Sequence, residues 1–185
     1  MKPPRVLIEE WLPAAAIGVE CIRERSTGQQ PPDKRLHVWW ARRPLTVSRA
    51  AVLGSLLPAD FPRDTFERLL GFWGRSEDIL RAQSVLDWAR LSGERVENPH
   101  GERAFKRPLK PDDLDLAIEM ARQTWKEPIT VLDPMAGGGS IPLESARLGL
   151  RTLANEYIPV ASSVLEATVD YPFRFGMELA KAARK

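Results

Sequence analysis

The run Pro128-Ile129-Thr130-Val131-Leu132, followed at once by Asp133-Pro134-Met135-Ala136-Gly137-Gly138-Gly139-Ser140, constrains this chain more than any other stretch. It reads as a buried strand breaking into a glycine-rich turn and then a helix. α/β proteins build nucleotide-type cofactor pockets in this way, at the carboxyl end of a strand. Spacing narrows the choice. The dinucleotide pattern G-x-G-x-x-G needs a third glycine or alanine at position 142, which is Pro142. What remains is an acidic residue, three residues, then G-x-G, carried by Asp133, Gly137 and Gly139. The glycines let the backbone approach a ligand with no Cβ in the way. The first helical turn beyond them offers unpaired N–H groups to a carboxylate.

The next strand supports the same pocket. Arg151-Thr152-Leu153-Ala154-Asn155-Glu156 follows a short helix, Ser140 to Leu148, stopped by Gly149. A βαβ unit of this length puts Glu156 at the tip of a neighbouring parallel strand. Glu156 lies 23 positions after Asp133, close to the offset of roughly 20 at which an acid accepts hydrogen bonds from ribose hydroxyls. The unit resembles the cofactor-binding unit of S-adenosylmethionine (SAM) methyltransferases. The same residues also read as a tight glycine turn with Glu156 as a surface acid.

Composition sets limits on function. The 185 residues suffice for one well-buried domain. A formal charge of +2 argues neither for nor against nucleic acid, so any DNA contact must come from local clusters. A single cysteine, Cys21, gives neither an internal disulfide nor a cysteine-rich zinc site, and suits a reducing cytoplasm. No apolar run reaches the 18 or so residues of a membrane span, and nothing after Met1-Lys2-Pro3-Pro4-Arg5 reads as a signal-peptide core.

Three segments follow from the punctuation. Residues 1–58 read as an N-terminal helical cap, with helices from Pro13 to about Arg25 and from Pro44 to Leu57, stopped by Pro58. Residues 59–127 read as a helical insert. In it Asp64-Thr65-Phe66-Glu67 has capping-box logic, Ser76 caps a helix through Arg90, and 93–111 form a polar surface loop. An amphipathic helix then runs from Asp113 to Lys126, where Asp112, Asp113 and Asp115 suit the helix dipole without a metal. Residues 128–185 hold the βαβ unit, a helix from Pro159 to about Val169 broken by Tyr171-Pro172, and a last helix to Lys185. Trp73, Trp88 and Cys21 read as core, and His100 as solvated. The basic run Arg103, Lys106, Arg107 and Lys110 reads as a solvated loop rather than a DNA contact. Only two strands are clear, so the sheet looks incomplete.

Arg35-Leu36-His37-Val38-Trp39-Trp40-Ala41-Arg42-Arg43-Pro44 is the second unusual segment. Adjacent tryptophans beside two arginines are costly to expose and hard to bury without partners. They stack a ring on a cofactor adenine with arginines toward a carboxylate or phosphate, or contact a DNA backbone, or anchor the following helix on the sheet.

Here the chain resembles the bacterial and archaeal adenine-specific DNA methylases that contain a zinc ribbon and begin with a domain of unknown function of the 1156 type. The resemblance rests on residues 8–13, 17–20, 36–45 and 48–50, then on Leu132 to Pro142 and Ala154 to Ala161. It implies an α/β, partial Rossmann-like SAM-dependent methyltransferase fold with a helical N-terminal region and helical insert. By that analogy Asp133, Gly137 and Gly139 cradle SAM and Glu156 holds its ribose, with Pro134, Ala136, Gly138, Ser140 and Asn155 around them. His37, Trp40, Arg43 and Pro44 would cover the cofactor. No catalytic residue and no metal ligand is assigned.

The departure from the family is equally informative. Methylation of an exocyclic amine needs a (D/N/S)-P-P-(Y/F/W) motif, whose acceptors hold the amine while the aromatic ring stacks on a flipped-out base. This chain has none, and one cysteine cannot make the zinc ribbon. The expectation is therefore the SAM-binding portion of an adenine-specific (N6-amino) DNA methyltransferase, truncated and inactive alone. DNA and a catalytic partner chain or C-terminal region would be its partners, with no membrane, in the cytoplasm. The alternatives are a non-catalytic interaction subunit of a phage-defence or restriction-modification complex, and a truncated gene product.

Overall fold

A computed structural model describes residues 3–26, 31, 34, 36, 37, 39, 42–126 and 128–184. The N-terminal part is helical: α1 (Leu7–Glu10), α2 (Ala14–Arg25), α3 (Leu45–Leu56), α4 (Arg63–Leu69), α5 (Ser76–Ser92) and α6 (Pro111–Trp125), with a 3-10 turn at Ala104–Lys106. Then come β1 (Thr130–Asp133), α7 (Ser140–Arg147), β2 (Arg151–Ala154) and α8 (Pro159–Leu165). A π turn (Glu166–Asp170), α9 (Tyr171–Phe175) and α10 (Met177–Ala182) complete the order. The architecture is mixed α/β, mostly helical, around a two-stranded parallel sheet.

Helix α3 is the hub. It buries Leu45, Ala50, Val52 and Leu53, but also Thr46, Ser48 and Arg49, as expected of a helix packed on every side. Its first N–H groups have no intrahelical acceptor, and the Glu24 carboxylate takes them: Leu45 N–H donates at 2.9 Å and Thr46 N–H at 3.3 Å. Glu20, one turn earlier on α2, accepts the N–H of Ala104 at 3.1 Å and pairs with Arg23. Both glutamates are 1% exposed. The spacing of four puts them on one helix face, where each satisfies backbone that packing would otherwise strand.

Arg49 and Glu144 are the deepest charged pair, each side chain 0% exposed, at 2.5 Å. Arg49 also donates to Leu69 O at 3.2 Å, and Glu144 accepts from Arg147 at 2.8 Å. The pair joins α3 to α7, the helix that follows the glycine loop. A single buried cluster runs from Leu7, Ile17 and Leu53 through Phe61, Phe66 and Ile79 to Ala117, Leu148 and Leu150, drawing on all three segments of the sequence.

β1 and β2 pair in parallel, Thr130 with Arg151 through Asp133 with Ala154. β1 is not the buried strand that its apolar run suggests. Leu132 is 64% exposed and its partner Leu153 is 49% exposed, because no element covers that face among the described residues. Other expectations change too. Asp64 lies inside α4 and pairs with Arg75 instead of capping. α5 starts at Ser76, yet its first turn is closed by the Asp78 carboxylate accepting the Arg75 N–H. α6 starts at Pro111, whose missing N–H costs nothing at a first helical position, and Asp113 pairs with Arg68 at 2.7 Å. Trp88 is exposed. His100 packs edge-on against Trp73 at 6.2 Å, and burial pushes its imidazole below the ordinary range. The stretch from 93 to 111 is not wholly solvated, since Ala104 and Phe105 are buried. Tyr171-Pro172 does not break the chain's helical path: the π turn just upstream takes up the proline, and Gly176, at φ +47°, ends it.

Removing one partner of a buried ion pair strands the other charge. Arg49→Leu is therefore expected to cost about 3–5 kcal/mol in urea unfolding. The double variant Arg49→Leu/Glu144→Leu is expected to cost less than the sum of the two single variants. Additive losses would show that the pair is not coupled.

Candidate functional site

The register that sets Asp133 beside Ala154 makes the glycine loop and Asn155-Glu156 leave the sheet side by side. They stay zipped together. Asn155 N–H donates to Asp133 O at 2.9 Å, and Ala136 N–H donates to Asn155 O at 3.0 Å. The Asn155 side chain donates to Pro134 O at 3.3 Å, and the Met135 N–H donates to Asp133 Oδ1 at 3.3 Å. The last link is the shortest: Gly137 N–H donates to Glu156 Oε2 at 2.6 Å. Gly137 and Gly139 sit at φ +53° and +80°, the left-handed region where a side chain costs about 1–2 kcal/mol.

Glu156 is thus a three-donor acceptor. Its other oxygen takes the N–H groups of Tyr157 at 2.9 Å and Ile158 at 3.1 Å. The N–H groups of Ile158, Gly137 and Tyr157 hold its carboxyl below the usual carboxylate range. It is an anion at neutral pH, and an acceptor only.

The faces of the glycine loop meet the chain itself. A Cβ on Gly137 would lie 2.9 Å from the Trp39 indole nitrogen, and one on Gly138 would run into the Arg42 guanidinium. A Cβ on Gly139 would lie 2.7 Å from Leu165 and 3.2 Å from Val169. Ser140 Oγ donates to Arg43 O at 2.7 Å. The segment before α3 therefore does reach the loop, but through Trp39 and Arg42. The Arg43 side chain is exposed, and only its carbonyl takes part. Pro44 is buried at the start of α3, and exposed His37 lies 6.4 Å ring to ring from Trp39. Trp40 lies outside the described residues.

Beside this junction is a cavity of about 930 Å³, bounded by Ala154, Asn155 and Glu156 on one side and Ser162, Leu165 and Val169 on the other. A fixed carboxylate at the rim and aliphatic walls suit a flat ring bearing hydroxyl groups. Leu165 and Val169 carried no sequence signal beyond an amphipathic helix. Arg42 was hidden by its neighbour, because adjacent arginines in a non-helical segment point differently and no periodicity says which turns inward. Among the described residues, no group of three or more His, Cys, Asp or Glu side chains forms a metal-binding cluster.

Because Glu156 titrates lower when folded, its contribution to stability is complete above its unfolded value, about 4.3, and disappears as pH falls through the lower folded value. Glu156→Gln keeps the shape and removes the charge. The melting-temperature gap between the native chain and this variant is expected to hold steady near neutral pH and to close in acid. A gap independent of pH would contradict the three-donor role.

Residues 11–75 fit the model of a family described as a protein of unknown function (DUF1156). That stretch covers α2, α3 and α4 and the segment that meets the glycine loop, and ends short of the loop itself. No curated protein and no solved structure matches the chain.

Proposed function

We propose that this chain is the SAM-binding part of an adenine-specific DNA methyltransferase of the zinc-ribbon type that its sequence resembles, on a partial Rossmann-like fold. The observation that carries the reading is the Glu156 carboxylate fixed at the tip of β2, 2.6 Å from the glycine-loop N–H of Gly137. A carboxylate has about four lone-pair sites. Three are used by backbone donors, so one is left to accept from a ribose hydroxyl. The aliphatic walls at Leu165 and Val169 would take the adenine, and Trp39 and Arg42 would close over the loop. SAM supplies an electrophilic methyl group on its sulfonium. The chain's own residues bind and orient, since no (D/N/S)-P-P-(Y/F/W) motif is present to receive a target amine.

The face and edge of the sheet that no element among the described residues covers favour a second reading, a non-catalytic interaction subunit of a defence or restriction-type complex.

Calorimetric titration with SAM separates the two. Binding is expected, weakened by about tenfold or more in both Glu156→Ala and Asp133→Ala, the loss of one or more hydrogen bonds to a charged group. The chain alone is expected to transfer no methyl group to DNA. Affinity unchanged in both variants, or a folded chain that binds no SAM, would sink the cofactor reading.

A further inference from the structure

The stretch from 93 to 110, between α5 and α6, has little regular structure of its own and is held by side chains of other elements. Arg23 of α2 donates to Gly101 O at 2.6 Å, and Glu20 of α2 accepts from the Ala104 N–H at 3.1 Å. Gly101 lies so close to Trp73 that a Cβ there would come within 2.8 Å of the indole. His100 sets its ring edge-on to the same indole, at 87°. These contacts seat the stretch on α2, α5 and Trp73.

The His100 contact differs from the others because its neighbours dictate a protonation state. Asp87 on α5 is an acceptor only, so the Gln83 amide beside it turns its NH2 group that way, at 2.9 Å. Gln83 Oε1 is then left facing His100 Nε2 at 3.4 Å. An amide oxygen cannot donate, so Nε2 carries the proton. In the neutral ring Nδ1 is therefore a bare acceptor, and it is buried with no hydrogen-bond partner. Protonation would turn Nδ1 into a second donor with nothing to accept from it.

The surrounding charges add to that cost. Arg23 faces the ring from α2, where Glu20 pairs with it. Asp87 reaches the ring from α5 only through Gln83. Trp73 contributes an uncharged indole, and Glu102 of the same stretch is exposed. Burial first, and the Arg23 cation after it, hold the imidazole below its ordinary range.

We propose that His100 is an acid-sensitive latch: neutral, it seats the 93–110 stretch on Trp73 and Gln83, and protonated, it releases that stretch from α2 and α5. Because the ring titrates lower when seated than when free, the seat is complete above about 6.5, the unperturbed value. It weakens as pH falls from there toward the lower seated value. The latch uses neither the glycine loop nor the Glu156 carboxylate, so it stands or falls separately from SAM binding.

Two measurements on the full chain test it. Nitrogen-15 NMR reads the tautomer, and His100→Phe assigns the signal because the sequence holds only 2 histidines. At pH 7.5 the expected state is a protonated Nε2 and a bare Nδ1. Hydrogen exchange, corrected for the intrinsic rate at each pH, reads the seat. Protection of peptides from 93–110 is expected to fall at least about threefold between pH 7.5 and pH 5.5, while α3 holds its protection. His100→Phe keeps a ring on Trp73 with nothing to protonate, and its profile is expected to be flat. Gln83→Glu sets a carboxylate opposite Nε2 and is expected to move the loss to lower pH; it reads the latch even where the phenylalanine ring fails to seat. An Nδ1-protonated neutral ring, or native protection equal at both pH values, would overturn the proposal. So would a Gln83→Glu profile that coincides with the native one.

Discussion

Arg49 and Glu144 are buried together, with no exposed side-chain surface on either. Desolvating two charges is expensive, and their attraction offsets it only when the remaining donors and acceptors are also engaged. Leu69 O and Arg147 supply much of that engagement. The geometric consequence is larger than the energetic one. The pair welds α3, a helix of the N-terminal segment, to α7, the helix that begins at the glycine loop. Everything α3 carries is thereby indexed to that loop, including Pro44, Arg43, Arg42 and Trp39 just before it. Glu24 completes the indexing from behind, because its carboxylate closes the first turn of α3 and fixes α2 against it.

Seen from the loop, this weld explains an arrangement that would otherwise be fragile. Five residues between Asp133 and Gly139 have no regular structure, yet they are held on two sides. On one, Asn155 and Glu156 continue the parallel ladder past the end of the strands. On the other, the Ser140 hydroxyl donates to the Arg43 carbonyl. A loop tethered at both flanks keeps Gly137 and Gly139 in a left-handed conformation that few other residues tolerate.

What could be read beforehand follows the physics of each signal. Periodicity and proline punctuation gave α2, α3 and α6 nearly to the residue, because these helices have one apolar face or a buried surround. The two parallel strands and the position of Glu156 beside the glycines were legible because a βαβ unit has fixed handedness and reach. Burial was less legible. The run Ile129 to Leu132 looks like a core strand, but apolar composition does not say whether anything covers it, and Leu132 is largely exposed. Trp88 and His100 were misplaced for a related reason: an aromatic ring's burial depends on the partner surface, and Trp73 meets His100 while Trp88 meets solvent. The Arg49–Glu144 pair spans 95 positions, beyond any local pattern. Its trace was an arginine inside an otherwise apolar helix, a residue that can be buried only if a distant acid comes to meet it.

The three glycines do not all answer the same demand. Gly137 and Gly139 are required by conformation, and both are also crowded by a neighbouring side chain. Gly138 is free of the conformational demand, and the atoms nearest to a Cβ there belong to the guanidinium of Arg42. Two guanidinium nitrogens of Arg42 are themselves buried, so this contact is enclosed like those of Leu165 and Val169 at Gly139. The loop is therefore held by conformation at its outer glycines and by a side-chain contact at the middle one. A ligand approaching the loop would meet a carboxylate already held by backbone, an aliphatic wall, and the Arg42 cation. That asymmetry ties Trp39 and Arg42 to the chemistry of the loop: both lie against its glycines, and the absence of a Cβ at Gly138 leaves the Arg42 guanidinium its place.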